Sequence, residues 1–141
     1  HVGRADLRPV MTVAARIVAV RDAAAGDAVG YGSTFRFDEP GRVGTVALGY
    51  ADGVPVSLGN VGRVHLDGAR VPIIGRVSMD SFGIDLTGTD VKTGDRVVFF
   101  GDGVDYDSRV EAQAERAGTI SYELLTRVGA RVPRRFVGGE A

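Results

Sequence analysis

Val43–Gly44–Thr45–Val46–Ala47–Leu48 runs directly into Gly49–Tyr50–Ala51–Asp52–Gly53. Farther along, Ile74–Gly75–Arg76–Val77–Ser78–Met79–Asp80–Ser81 again carries an apolar run into polar groups. The first run is short, β-branched and apolar, which reads as a buried strand rather than a helix. A tyrosine and an aspartate follow it in a Gly-rich turn, where side chains can face a cleft while a rigid strand holds their base. Two strand ends that deliver polar groups to one place are how a site is built on a β scaffold.

Outward from this stretch, the pattern stays strand-like. Val10 to Val20 is rich in β-branched residues and free of Gly and Pro, predicting a long strand with Arg16 on one face. Asp22 to Gly26 reads as a turn, Gly26 to Gly30 as a second short strand, and Gly32 to Gly41 as an exposed loop. Gly49 to Gly59, with Pro55, is a further loop. Asp67–Gly68, between Gly62–Leu66 and Ala69–Pro72, is the strongest two-residue hairpin signal in the chain. Ile73 to Met79, Phe82 to Leu86 and Arg96 to Phe100 read as strands, with a polar turn over Val91–Asp95 before the last. Strands at such spacing, separated by turn chemistry, predict a mainly β domain, an antiparallel β-barrel-like fold.

The pattern changes at Ser108. Ser108 or Asp107 can cap a helix over Val110–Ala117, ended by Gly118, and Thr119 or Ser121 can cap a second one over Tyr122–Arg127. One or two short helices near the C-terminus therefore complete the expected fold. Val128 to Phe136, with Pro133 and three arginines, reads as an edge segment. Residues 1–9 read as an irregular lead-in, and Val137 to Ala141 as a frayed end.

Composition bounds the function. The 141 residues fit one domain, too short for a (β/α)₈ enzyme. A hydrophobic share of 44% and a charged share of 25% exclude wholesale disorder. The 17 Lys and Arg nearly balance 18 Asp and Glu, and the scattered arginines form no basic block of the kind nucleic acid requires. There is no cysteine, hence no disulfide, thiolate or Cys-based zinc chemistry, and His1 and His65 lie too far apart in sequence to suggest a metal site. No apolar run is long enough to span a bilayer and no signal-like segment opens the chain, so the expectation is a cytoplasmic protein with no membrane partner. The start at His1, without Met, suggests part of something larger.

Tyr31, in Val29–Gly30–Tyr31–Gly32–Ser33–Thr34–Phe35, is a chemical candidate because two glycines leave its ring poorly covered. A phenol, with a reference pKa near 10, acts as a base at neutral pH only beside a cation, and no obvious position in the chain supplies one. A buried core tyrosine is the alternative. Tyr50 reads either as a barrel-end plug or as a cleft wall, with Asp52 as a turn residue bonded to backbone. Met79 reads as core filler, and Tyr122 as an anchor for the last helix.

These motifs, with Ile120–Ser121–Tyr122–Glu123–Leu124, resemble in their order the carboxy-terminal domain of the pyridoxal-phosphate-dependent alanine racemases, roughly from Leu7 to Phe136. The resemblance implies that Tyr31 is the acid/base on one face of the substrate Cα, opposite a cofactor-binding lysine. It implies that Tyr50 and Arg76 line the substrate access channel and that the Met79 backbone N–H helps hold the substrate carboxylate. Tyr122 would hydrogen-bond the cofactor phosphate. The lysine and most phosphate ligands would belong to an absent N-terminal (β/α)₈ barrel, so pyridoxal phosphate is not expected to bind tightly to this chain alone. The partners implied are that barrel, the second subunit of a homodimer, and alanine. The product would supply D-alanine for cell-wall synthesis. Lys92, the sole lysine, sits in a Thr-Gly-Asp turn and reads as a surface charge. Val56 stands where many relatives carry arginine, and Ser81 where they usually carry glutamine, which bears on selectivity and rate. A stand-alone β-barrel binding or adaptor domain is the competing reading. The ornithine-decarboxylase-like β domains fit less well, because they use a cysteine that this chain lacks.

Overall fold

The computed structural model describes residues 9–101 and 106–138. Among these, eight strands form, β1 (Val13–Ala23), β2 (Ala28–Val29), β3 (Phe35–Arg36), β4 (Gly41–Val46), β5 (Arg63–Leu66), β6 (Ala69–Ile74), β7 (Phe82–Asp85) and β8 (Arg96–Phe100). Two helices follow, α1 (Val110–Ala117) and α2 (Ser121–Arg127). Six strands close a barrel in the order β1-β4-β7-β6-β5-β8, antiparallel throughout, while β2 and β3 pair separately. The expected antiparallel barrel with short C-terminal helices is what the chain forms.

Closure depends on β1. Its first half pairs with β8, from Val13 opposite Phe100 to Arg16 opposite Arg96. Its second half pairs with β4, reaching Ala23 opposite Gly41. A register shift lies in each half, at Val13/Ala14 and at Ile17/Ala19. Such irregularities bend a strand and let one strand serve two walls of a barrel. The strand therefore begins later and runs on farther than Val10–Val20, because its partners lie at the far end. Alternate side chains point inward, and Ile17, Val46, Val64, Ile73, Ile84, Val97 and Phe100 fill the interior.

The Asp67–Gly68 hairpin forms as the dipeptide predicts. Both residues take positive φ, 47° and 79°, which is the requirement of a type I′ turn between β5 and β6.

Other expectations need correction. The loop expected over Gly32–Gly41 contains β3, and Phe37 is buried beside Ala23, Val29, Val43 and Ile74 in a second apolar cluster. Phe35 packs edge-on to Phe37, with ring centres 5.1 Å apart. The strand expected over Ile73–Met79 stops at Ile74, because Gly75 turns to φ 74° and its N–H bonds the Asn60 side chain. Neither helix has a side-chain cap: Arg109 and Ile120 occupy the cap positions. Thr119 instead bonds Glu123 through its hydroxyl. Val128–Phe136 forms no strand, since Pro133 lacks a donor and Arg134 bonds the segment's own Val128 carbonyl at 2.8 Å. The lead-in over residues 1–8 and the last three residues of the expected frayed end lie outside the described residues.

The helix α1 docks on the barrel through Gln113, which is fully buried. Its Nε2 donates to the carbonyls of Arg63 in β5 and of Phe99 in β8, the latter at 2.7 Å. Buried polar groups persist where they are bonded, and this one fastens the helix across two strands.

Candidate functional site

Val46 pairs with Phe82 and Ile74 with Gly83, so the end of β4, the end of β6 and the start of β7 lie at one rim of the barrel. The connections leaving that rim therefore meet. One is a 3-10 turn over Tyr50–Asp52; another is the irregular stretch from Gly75 to Ser81.

Backbone contact fuses these two connections. Tyr50 N–H donates to the Ser78 carbonyl and Ala51 N–H to the Met79 carbonyl, each at 3.0 Å. A Cβ on Gly49 would stand 2.5 Å from the Ser78 carbonyl oxygen and closer still to that of Met79, so only glycine admits this approach. Asp52 accepts from Gly49 N–H at 2.9 Å. It bonds backbone, as expected of a turn aspartate, though three residues upstream.

The third contributor is the 3-10 turn Tyr31–Ser33 between β2 and β3. Gly30, Gly32 and Ser33 all take positive φ, at 75°, 73° and 50°. The two glycines beside Tyr31 thus serve different ends. Gly32 permits the turn, and a Cβ there would meet nothing closer than the Thr34 methyl at 3.8 Å. Gly30 permits contact, since a Cβ there would lie 2.8 Å from the Arg76 backbone nitrogen.

Tyr31, Tyr50, Arg76 and Met79 consequently line one open cleft of about 620 Å³, with Val56, Ser78, Asp80 and Ser81 on its walls. Four of the five residues singled out from sequence are brought together; Tyr122, on the first turn of α2, is not among the cleft's lining. Tyr31 and Tyr122 are each 74% exposed, which rules out the core and anchor readings, and Met79 is exposed rather than core filler. The hydroxyls of Tyr31, Tyr50 and Tyr122 bond no other described residue, whereas that of Tyr106 donates to Glu115 at 2.6 Å. Arg76 lines the same cleft as Tyr31. Both unusual positions, Val56 and Ser81, are cleft residues.

Sequence reasoning missed Arg131. Its Nη2 donates to Asp80 Oδ1 at 2.6 Å and its Nε lies 3.5 Å from Asp52 Oδ1, so one side chain spans both fused connections. The Asp80 hydrogen bond, then the charge of Asp52, holds the guanidinium above its ordinary range. No signal for this exists in sequence, because Arg131 lies far from both partners along the chain.

Residues 10–136 match the family described as "Alanine racemase, C-terminal domain". The chain belongs to that family. The alanine racemase of Stutzerimonas stutzeri is 45% identical over 133 residues, which cover 94% of this chain and 36% of that protein. The structure of the Streptomyces coelicolor alanine racemase superposes with a TM-score of 0.90 at 41% identity, covering 94% of this chain and 35% of that one. The alanine racemase of Bartonella henselae, crystallised with covalently bound pyridoxal phosphate, superposes at 0.83 with 36% identity, over 89% of this chain and 34% of that one. This alanine racemase C-terminal domain thus spans about a third of the length of the relatives it matches.

Among the described residues no helix is long and apolar enough to cross a membrane. No group of three or more His, Cys, Asp or Glu among them could hold a metal ion.

Proposed function

We propose that the chain is one part of an alanine racemase, acting with a (β/α)₈ barrel and with the second subunit of a homodimer to interconvert L- and D-alanine. In this reading its role in the cell is D-alanine supply for peptidoglycan. The observation that carries the proposal is the cleft itself: an exposed phenol, a second phenol, a guanidinium and the backbone at Ser78 and Met79 converge on it, and its tyrosine hydroxyls have no partner among the described residues.

The fit of pyridoxal phosphate to these residues is partial. Lys92 is exposed, its N–H bonds Asp95 Oδ2 at 2.8 Å, and it does not line the cleft, so the chain offers no lysine there for covalent attachment. The exposed Tyr122 phenol suits a phosphate oxygen as a single donor. Bound by the barrel, the cofactor would acidify the substrate Cα–H.

The chain's own groups would do the rest. The Tyr31 oxygen would hold or take the proton on one face of the substrate Cα, the opposite face being left to the barrel. The Met79 N–H would hold the substrate carboxylate, while Tyr50 and Arg76 would bound the path by which it enters. A phenol in this role needs a cation to favour its charged form, and in this reading the barrel supplies it.

The test is Tyr31→Phe in the full-length dimeric enzyme, which keeps the ring and deletes the O–H. Loss of one proton-transfer group should lower kcat on the order of 10²–10⁴-fold. Cα hydrogen exchange followed by NMR should become asymmetric between L- and D-alanine. Rates and exchange within a few-fold of the unmutated enzyme in both directions would make Tyr31 a packing residue.

A further inference from the structure

We propose that Asn60 is a positioning residue for Tyr31, an inference that rests on the reading of Tyr31 given above. Asn60 follows the 3-10 turn Val56–Leu58 and takes φ 63°, a conformation asparagine tolerates better than most residues. Its Oδ1 accepts the Gly75 N–H at 2.7 Å. Its Nδ2 lies 3.1 Å from Thr34 Oγ1 and 3.4 Å from the Thr34 carbonyl oxygen. Because the Gly75 N–H can only donate, the amide orientation is fixed, and the NH₂ must face Thr34.

This bridge holds the Tyr31 turn from its far side. On the near side, Gly30 lies against the backbone of Arg76. On the far side, Thr34 ends the turn and is tied through Asn60 to Gly75, the residue just before Arg76. Between the two fastenings the turn has no buried side chain, and Gly32 and Ser33 are both left-handed. No apolar packing therefore sets the height of the Tyr31 ring over the cleft, and the side-chain bridge takes that task. Asparagine suits it because one planar group supplies an acceptor and a donor on opposite sides. Aspartate would bring a carboxylate against the Thr34 carbonyl, and serine carries no second arm.

The test uses the full-length holoenzyme with Asn60→Gly, which deletes the bridge and keeps the positive φ free of strain, and with Thr34→Val, which removes only its hydroxyl end. Hydrogen exchange read by mass spectrometry should quicken at residues 30–34 and at Gly75 in Asn60→Gly, while β4 and β7 keep their protection. The kcat should fall on the order of 10-fold, with KM for alanine changed less than about threefold, as expected when a reacting group is misplaced rather than removed. The lost Cα exchange should fall on the face affected by Tyr31→Phe, and Asn60→Gly should cost little more once Tyr31 is Phe. Unchanged local exchange and kcat in both variants overturns the proposal. So does an equal loss of kcat with and without the Tyr31 hydroxyl, or loosening spread through the whole barrel. If Tyr31→Phe is itself harmless, the reading of Tyr31 fails and takes this inference with it. If Tyr31→Phe is damaging while Asn60→Gly is silent, only the role of Asn60 fails.

Discussion

Gly75 lies against the carbonyl of Val29, so close that a Cβ on it would stand 2.5 Å from that oxygen. With φ 74° as well, the position penalises any side chain twice. Gly75→Ala should destabilise the domain by roughly 2–4 kcal/mol, the sum of a left-handed alanine and an overpacked contact. Denaturant unfolding measures it. A loss below about 0.5 kcal/mol would mean that the β2–β3 hairpin moves aside freely, with the Tyr31 turn it carries.

Arg131, itself exposed, joins the exposed Asp80 to Asp52, whose side chain is largely covered. Exposed ion pairs add little to global stability, so Arg131→Ala should leave the melting temperature nearly unchanged. Its effect should be local, with faster amide exchange over residues 49–53 and 78–81. A large fall in melting temperature without local loosening would contradict this.

The Glu115 carboxylate, by accepting the Tyr106 hydroxyl, pushes that phenol up from its ordinary value. A raised folded-state pKa means that this contact contributes fully below about pH 10, the unfolded value. Its contribution is lost as pH rises through the higher folded value. In an absorbance titration Tyr106 should therefore ionise above the ordinary phenol range. Glu115→Gln should bring it forward, and an unaltered titration would show that the bond does not persist in solution.

Lys92 predicts the behaviour of the chain alone. Its exposed turn offers nothing to orient a cofactor. Mixed with pyridoxal phosphate, the chain should neither give a specific borohydride-trapped adduct at Lys92 nor racemise alanine, as followed by circular dichroism. A specific adduct with turnover would relocate the chemistry to this domain.

Much of the fold was legible because its signals are local. Asp67–Gly68 specifies its own turn, and β4 and β8 announce themselves as apolar runs. The two-residue strand Phe35–Arg36 was not legible, since its only support is pairing with β2 and burial of Phe37 beneath it. The helix caps misled because Arg109 and Ile120 take the cap positions, and the Thr119 hydroxyl bonds the Glu123 side chain rather than the helix backbone. At the site, the grouping of Tyr31, Tyr50 and Met79 could be anticipated from motif order. Asn60 and Arg131 could not, because an asparagine after glycine looks like turn filler and an arginine among arginines looks like surface. Both matter here through partners many residues away, which only the folded chain supplies.

The long first strand also constrains the order of events in folding. Val13 to Arg16 can complete their pairing only when Arg96 to Phe100 arrive, so the ring cannot seal until nearly the whole barrel sequence is present. Until then β1 has one ladder and an open flank, the kind of edge that invites pairing with another chain. Contacts so distant in sequence make for slow assembly, on the order of milliseconds to seconds for β-rich domains. A nascent chain released before Phe100 should therefore be prone to aggregation.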